Sequence, residues 1–270
     1  MVAFAANSLL CRAALATGHV DAASFTTIRL MSGALALGLL ARIRNRQPSA
    51  NTMPWGSAAA LFAYAIAFSL AYLRISAGMG ALLLFSAVQL TMIAAGLRAG
   101  ERPPMREWIG LTLSITGLVA LTRPGFMRPD PGGAVLMLGA GAAWGVYSLG
   151  GRRGGDAVAT NASGFAHAVP LALAASVLAA LTSAVHVSTT GVLLALASGA
   201  VASGLGYAVW YAALSGLTAT RAAIVQLSVP PLAALGGVAF LGEAVSARLV
   251  VASVLILGGI ALATLGRQKE

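Results

Sequence analysis

Arg221 to Arg248 reads RAAIVQLSVPPLAALGGVAFLGEAVSAR. No charge interrupts it from Ala222 to Gly242, a run long enough to cross a bilayer as a helix. Pro230 and Pro231 sit near its middle. A proline lacks the backbone N–H, and its ring crowds the carbonyl one turn back, so the helix must kink or open there. In hydrocarbon, freed carbonyls have to face protein, water or a ligand. Gln226 lies four residues before Pro230 and shares its face.

The pattern occurs earlier at a constant offset. Phe85-Ser86-Ala87-Val88-Gln89-Leu90 lies over Leu227-Ser228-Val229-Pro230-Pro231-Leu232. Gly100-Glu101 lies over Gly242-Glu243, Arg106 over Arg248, Gly117 over Gly259 and Thr122 over Thr264. With a slightly different offset, Phe4, Asn7, Ser8, Leu9, Arg12 and Phe25 lie over Trp144, Tyr147, Ser148, Leu149, Arg152 and Phe165. The chain reads as two copies of one unit, 1–125 and 126–270. Span 1 is shorter at its start than its partner, span 6. Met1 is therefore expected inside a helix in the membrane, with native residues upstream of it.

Composition fixes the class. Hydrophobic residues make up 59% of the chain, charged residues 9%, and the mean hydropathy is +0.87. Soluble domains carry roughly 25% charged residues, so this is an all-α polytopic membrane protein. The formal charge of +10 does not point to nucleic acid, because the basic residues mark the ends of apolar runs. One cysteine, Cys11, excludes an intrachain disulfide and a cysteine metal cluster. No charged n-region precedes a small-residue cleavage site, so no cleaved signal peptide is expected.

About ten spans are predicted, near 1–17, 22–41, 54–73, 79–97, 105–122, 132–151, 157–183, 191–212, 218–241 and 246–266. Short links make sequence neighbours pack as spatial neighbours. Small-xxx-small pairs such as Gly199/Ser203 let helix backbones approach closely. Arg42, Arg44, Arg46, Arg98, Arg102, Arg106, Arg152, Arg153, Arg221, Arg267 and Lys269 gather on one side, which the positive-inside rule makes cytoplasmic. Both termini are then cytoplasmic. Five spans per copy is an odd number, so the second copy is inverted, with Glu101 inside and Glu243 outside.

These features together resemble the drug/metabolite transporter superfamily. They are two inverted five-span copies, a Gly-Glu loop after spans 4 and 9, the segment TATRAAIVQLSVPPLAALGGVAFLGE and the ending ILGGIALATL. Within it the chain is most similar to EamA-type exporters. The resemblance implies a bacterial inner-membrane exporter of amino acids and related small metabolites. Where that family often has a proline in span 4, this chain has Val88-Gln89. Whether span 4 is broken stays open.

Inverted-repeat transporters bind substrate near the midplane at interrupted helices. The equivalent positions are Phe85, Ser86 and Gln89 on span 4, with Gln226, Ser228 and the hinge prolines Pro230 and Pro231 on span 9. The competing reading of the amides is interhelical hydrogen bonding. Tyr64, Phe68 and Tyr72 share one face of span 3, and Tyr207, Trp210 and Tyr211 one face of span 8. Two readings compete: a pair of aromatic gates, or, for Tyr72, Trp210 and Tyr211, interfacial belts. Trp144, Tyr147 and Ser148 share a face of span 6, with Asn7 and Ser8 their counterparts on span 1.

All carboxylates fall at span ends or in loops, so no proton relay of the usual kind lies mid-membrane. His167 is the one histidine well inside a span, a relay candidate by residue type, with a donor bridging two helices as the expected role. Arg12 and Arg29 lie toward the external ends of spans 1 and 2; they have the charge to attract a carboxylate, but snorkelling to the surface is the expected behaviour. The expected partners are a small-molecule substrate and the lipid bilayer, with no nucleic acid, cofactor or metal. An intramembrane lipid-modifying enzyme is the alternative from another class, and would need a nucleophile–base pair or a metal set in the membrane. A drug or lipid extruder of the same fold is the other. Without a midplane carboxylate, transport is expected to follow the substrate gradient.

Overall fold

Helix follows helix, with turns set by capping chemistry. The computed structural model describes residues 1–45, 54–75, 77–122, 130–151, 156–182, 185–241 and 247–265. The first half holds α1 (Val2–Ala16), α2 (Ala22–Ile43), α3 (Trp55–Tyr72), α4 (Ala77–Arg98) and α5 (Met105–Thr122). The second opens with α6 (Pro131–Gly151) and α7 (Ala157–Thr182). Next come α8 (Thr189–Leu196), a π-helical segment (Ala197–Leu205) and α9 (Gly206–Leu214), which form one rod. The rest is α10 (Ala219–Gln226), α11 (Val229–Leu241) and α12 (Ala247–Leu265). Among the described residues there is no β-strand. Glu243, most of the link between the halves, and Arg46, Arg152, Arg153, Arg267 and Lys269 lie outside the described residues.

Side-chain oxygens start several helices by accepting otherwise unpaired N–H groups. Asp21 accepts from Ser24 N at 2.8 Å, Ser188 from Gly191 N at 3.1 Å and Thr218 from Arg221 N at 3.2 Å. Gly100 ends α4 at a φ of +83°, which a residue with a Cβ adopts at a cost. Between the α1–α2 and α7–α8 loops, Asp21 N donates to the His186 carbonyl at 2.9 Å and Ser188 N to the His19 carbonyl at 2.8 Å.

Among the described residues, five helices are long and apolar enough to cross a membrane: Ala22–Ile43, Trp55–Tyr72, Pro131–Gly150, Ala157–Thr182 and the rod Thr189–Leu214. Val2–Ala16 and the Leu83–Arg98 part of α4 are apolar but shorter. Span 9 falls short for a physical reason: it is divided. Leu227 N and Ser228 N turn back to the carbonyls three residues earlier, at 3.0 and 3.2 Å, and α11 begins at Val229. Pro230 and Pro231 thereby occupy a first turn, where the missing N–H has no partner to lose. Span 4, with Val88-Gln89 in the equivalent place, runs unbroken.

The helices pack around a centre of large side chains. α2 packs on α7 and on the π-helical segment, α3 and α4 on α6, α1 on α11, and α5 on α12. Gly199 lets the π-helical segment lie against the backbone of α2, since a Cβ there would strike the Arg29 carbonyl and the Ser32 hydroxyl.

Candidate functional site

A polar network inside the bundle is built on Arg29. The snorkelling expected of this residue does not occur: its side chain is in the bundle, only 1% exposed. Seven residues into α2, it stands about 10 Å along the axis from Ala22, facing α3 and the rod. Its Nε donates to Ser203 Oγ at 2.9 Å. Its Nη2 donates to the phenol oxygens of Tyr64, at 3.0 Å, and Tyr207, at 2.7 Å. The guanidinium carbon stands 5.1 Å from the Tyr64 ring centroid and 5.3 Å from that of Phe68, within reach of cation–π attraction. Nη1 is buried with no hydrogen-bond partner.

Asn7 extends the network. Its Nδ2 donates to Tyr64 Oη at 3.3 Å, and its Oδ1 accepts from Ser198 Oγ at 2.6 Å. Tyr207 Oη donates to Tyr64 Oη at 3.2 Å. Ser198 and Ser203 both come from the π-helical segment. A π-helix bonds i to i+5 and widens the turn, a device frequent at functional sites.

Aromatic rings close over these polar groups. Trp144 packs against Phe4, Tyr64, Tyr147 and Tyr207, with centroids 4.5 to 5.6 Å apart. Phe85 joins Phe4, Tyr64, Phe68, Trp144 and Tyr207 around a cavity of about 10 Å³, room for one water at most. Any solute larger than water needs these rings to part.

The remaining predicted residues divide. Gln226 is buried: its Oε1 accepts from Trp144 Nε1 at 2.7 Å, and its Nε2 donates to Met92 Sδ at 3.1 Å. Tyr147 Oη donates to Asn161 Oδ1 at 2.7 Å, and its carbonyl accepts from Tyr211 Oη at 2.7 Å. Trp210 Nε1 donates to Ser148 Oγ at 3.4 Å. Trp210 and Tyr211 are each 3% exposed and Tyr72 is wholly buried, which overturns the belt reading for all three. Their polar atoms find partners within the bundle, so the water interface is not needed to satisfy them.

Ser86, Gln89, His167 and Ser228 are not brought to this centre. Ser86 and Gln89 line a groove of about 520 Å³ between α4 and α5, with Leu90, Ile93 and Trp108 among its walls. Gln89 Nε2 donates to the Ala223 carbonyl on α10, and its Oε1 is buried without a partner. His167 stacks on Trp55 with centroids 4.6 Å apart. Ser228 bonds the Val225 carbonyl of its own turn at 2.8 Å. Arg12 donates to the Tyr72 carbonyl at 2.6 Å, at the end of α3.

Sequence reasoning missed Arg29, Asn161, Ser198 and Ser203 as members of the interior network. One signal for Arg29 was available. The offset that sets Phe25 over Phe165 sets Arg29 over Val169, so a charge stands where the other copy is apolar.

A second polar assembly holds the start of α10. Glu101 accepts from Ala219 N at 2.8 Å and from Thr220 N at 3.2 Å, a carboxylate at the positive end of a helix. Glu107 Oε1 meets Arg221 Nε at 2.6 Å, with the Glu107 side chain 3% exposed.

Known proteins match this architecture. A crystal structure of a protein that is 23% identical superposes with a TM-score of 0.77, over 98% of this chain and 96% of that one, and so shares its fold. An uncharacterized protein of Pseudomonas aeruginosa is 53% identical over 262 residues, 97% of this chain and 91% of its own length. The model of the EamA-like transporter family matches residues 1–123 and 131–265. With both halves matched, the chain belongs to the EamA-like transporter family.

Proposed function

We propose that this membrane transporter is a carrier exporting amino acids or related small metabolites across the bacterial inner membrane by alternating access. One observation carries the reading: a buried network of Arg29, Asn7, Tyr64, Tyr207, Ser198 and Ser203 inside an apolar helical bundle. Ionisable side chains within a membrane protein are expensive and characteristically mark a solute pathway. The network is drawn from both halves of the chain. The cavity beside it is closed by aromatic rings, as in a carrier between its two open states.

The ten-span, inverted-repeat architecture is part of the proposal, with halves 1–125 and 126–270 and both termini cytoplasmic. Helix pairing supports it. α2 packs on its repeat counterpart α7, and α5 on its counterpart α12. The pairing of α3 with α6 is matched by that of the α8–α9 rod with α1. Each is what a pseudo-two-fold axis in the membrane plane requires.

A drug or lipid extruder is a second reading, favoured by the apolar groove between α4 and α5. Efflux from liposomes holding only this protein separates the two. Labelled amino acids, sugars and a lipophilic cation are the cargo. Flux of amino acids above protein-free liposomes is expected. Flux of the lipophilic cation alone favours the extruder, and no flux of any cargo overturns both.

A further inference from the structure

We propose that Arg29 is a carboxylate site, its free Nη1 receiving the ionised carboxyl of a small solute with an apolar body. The proposal rests on the carrier reading and names the chemical class that carrier takes.

The argument is a balance of donors and acceptors. A guanidinium has five N–H donors and no acceptor. Three are used here, one by Ser203 and two by the phenols. Both N–H groups of Nη1 are left, on a side chain 1% exposed. Arg29 has no carboxylate partner among the described residues, so its charge is met only by neutral oxygens and ring faces.

Tyr64 is similarly placed. Its oxygen receives bonds from Arg29 and Asn7 and shares one phenol proton with Tyr207, so one of the two phenol protons has no acceptor among the described residues. Around one point, then, donors outnumber acceptors. A buried donor left unpaired keeps its full cost of leaving water. The ligand group that repairs the balance accepts only and carries a negative charge, as an ionised carboxylate does. One positive charge matches a monoanion; a phosphate dianion would exchange an excess of one sign for the other. Tyr64 also lines the cavity, beside Phe4, Phe68, Phe85 and Trp144. Those rings suit an apolar body attached to the carboxylate.

The test uses the full chain, purified in detergent, and thermal-unfolding midpoints. Valine, leucine and phenylalanine are each compared with the primary amide and with the decarboxylated amine. Chloride and inorganic phosphate complete the set. The acids are expected to raise the midpoint and to bind at least ~10-fold tighter than their amides and amines, the loss typical of a charge-assisted hydrogen bond. Arg29→Gln should erase the difference between acid and amide, and Arg29→Lys should keep part of it. Should Arg29→Gln not fold, the matched pairs on the unaltered protein decide alone. Equal binding of acids and amides, binding of none of them, or equal stabilisation by chloride or phosphate overturns the carboxylate site. The carrier reading fails separately, when no cargo crosses liposomes, whatever binds in detergent.

Discussion

Glu107 Oε1 lies 2.6 Å from Arg221 Nε and ties the first turn of α5 to α10. The Arg221 side chain is 15% exposed, so water screens the pair little. Removing one partner of such a pair strands the other charge. Glu107→Gln and Arg221→Gln should each destabilise the protein by on the order of 3 kcal/mol. The exchange Glu107→Arg with Arg221→Glu should recover part of that loss. Thermal unfolding of the four proteins in one detergent measures it, and an exchange variant less stable than both single variants would count against the pairing.

Trp144 and Gln226 offer a second coupling, from α6 to α10. Gln226→Ala leaves the indole N–H unpaired, which costs about 1–3 kcal/mol. Trp144→Phe removes the same bond from the other side. The double variant should lose less than the sum of the single losses, by about 0.6–2 kcal/mol. In liposomes Gln226→Ala should also raise the KM for export, because Trp144 loses the contact that orients it over the cavity. Additive losses with an unchanged KM would make Gln226 a filler of space.

Two glycines on neighbouring elements should respond in opposite ways. A Cβ at Gly199 meets the backbone of α2, so Gly199→Ala should cost about 1–3 kcal/mol through overpacking. At Gly38 nothing stands within 4 Å of the added methyl. Gly38→Ala should gain about 0.5–1 kcal/mol from helix propensity. Midpoints that move together would show that the close approach of α2 to the π-helical segment is not a constraint.

Energy coupling follows from the placement of acids. Among the described residues Glu107 is the buried carboxylate, and Arg221 already engages it at the end of the bundle. Efflux should therefore persist when the proton gradient is collapsed at fixed substrate gradient. Efflux that stops would direct attention to His167, whose Nδ1 is buried without a hydrogen-bond partner.

The helical fold was legible because apolar period and length are properties of the sequence itself. The break in span 9 was legible for the same reason: Pro230 and Pro231 remove donors wherever they stand. The site was legible only in part. Aromatic stripes on spans 3, 6 and 8 do meet at the centre, as shared faces imply. Ser86 and Gln89, placed by analogy between the two copies, line the α4–α5 groove instead, on a helix that runs unbroken where its counterpart is divided. Arg29 was read by its distance from a span end, yet its environment is set by helices far away in sequence. The Ser198 and Ser203 contacts depend on a change of helical type that no apolar period announces.

That change of helical type bears on how the chain tolerates a change in length. Within Ala197–Leu205 each hydrogen-bonded ring encloses one residue more than an α turn does. A codon lost from α8 would swing everything beyond it by about 100° and carry Tyr207, Trp210 and Tyr211 away from their partners. A codon lost from the wide stretch can be absorbed by tightening to ordinary turns, with both flanks still in phase. What disappears is the slack that lets Ser198 reach Asn7 while Ser203 reaches Arg29. Homologues one residue shorter at this place would keep the aromatic centre and differ in its polar lining, a route by which evolution can retune cargo without rebuilding the bundle.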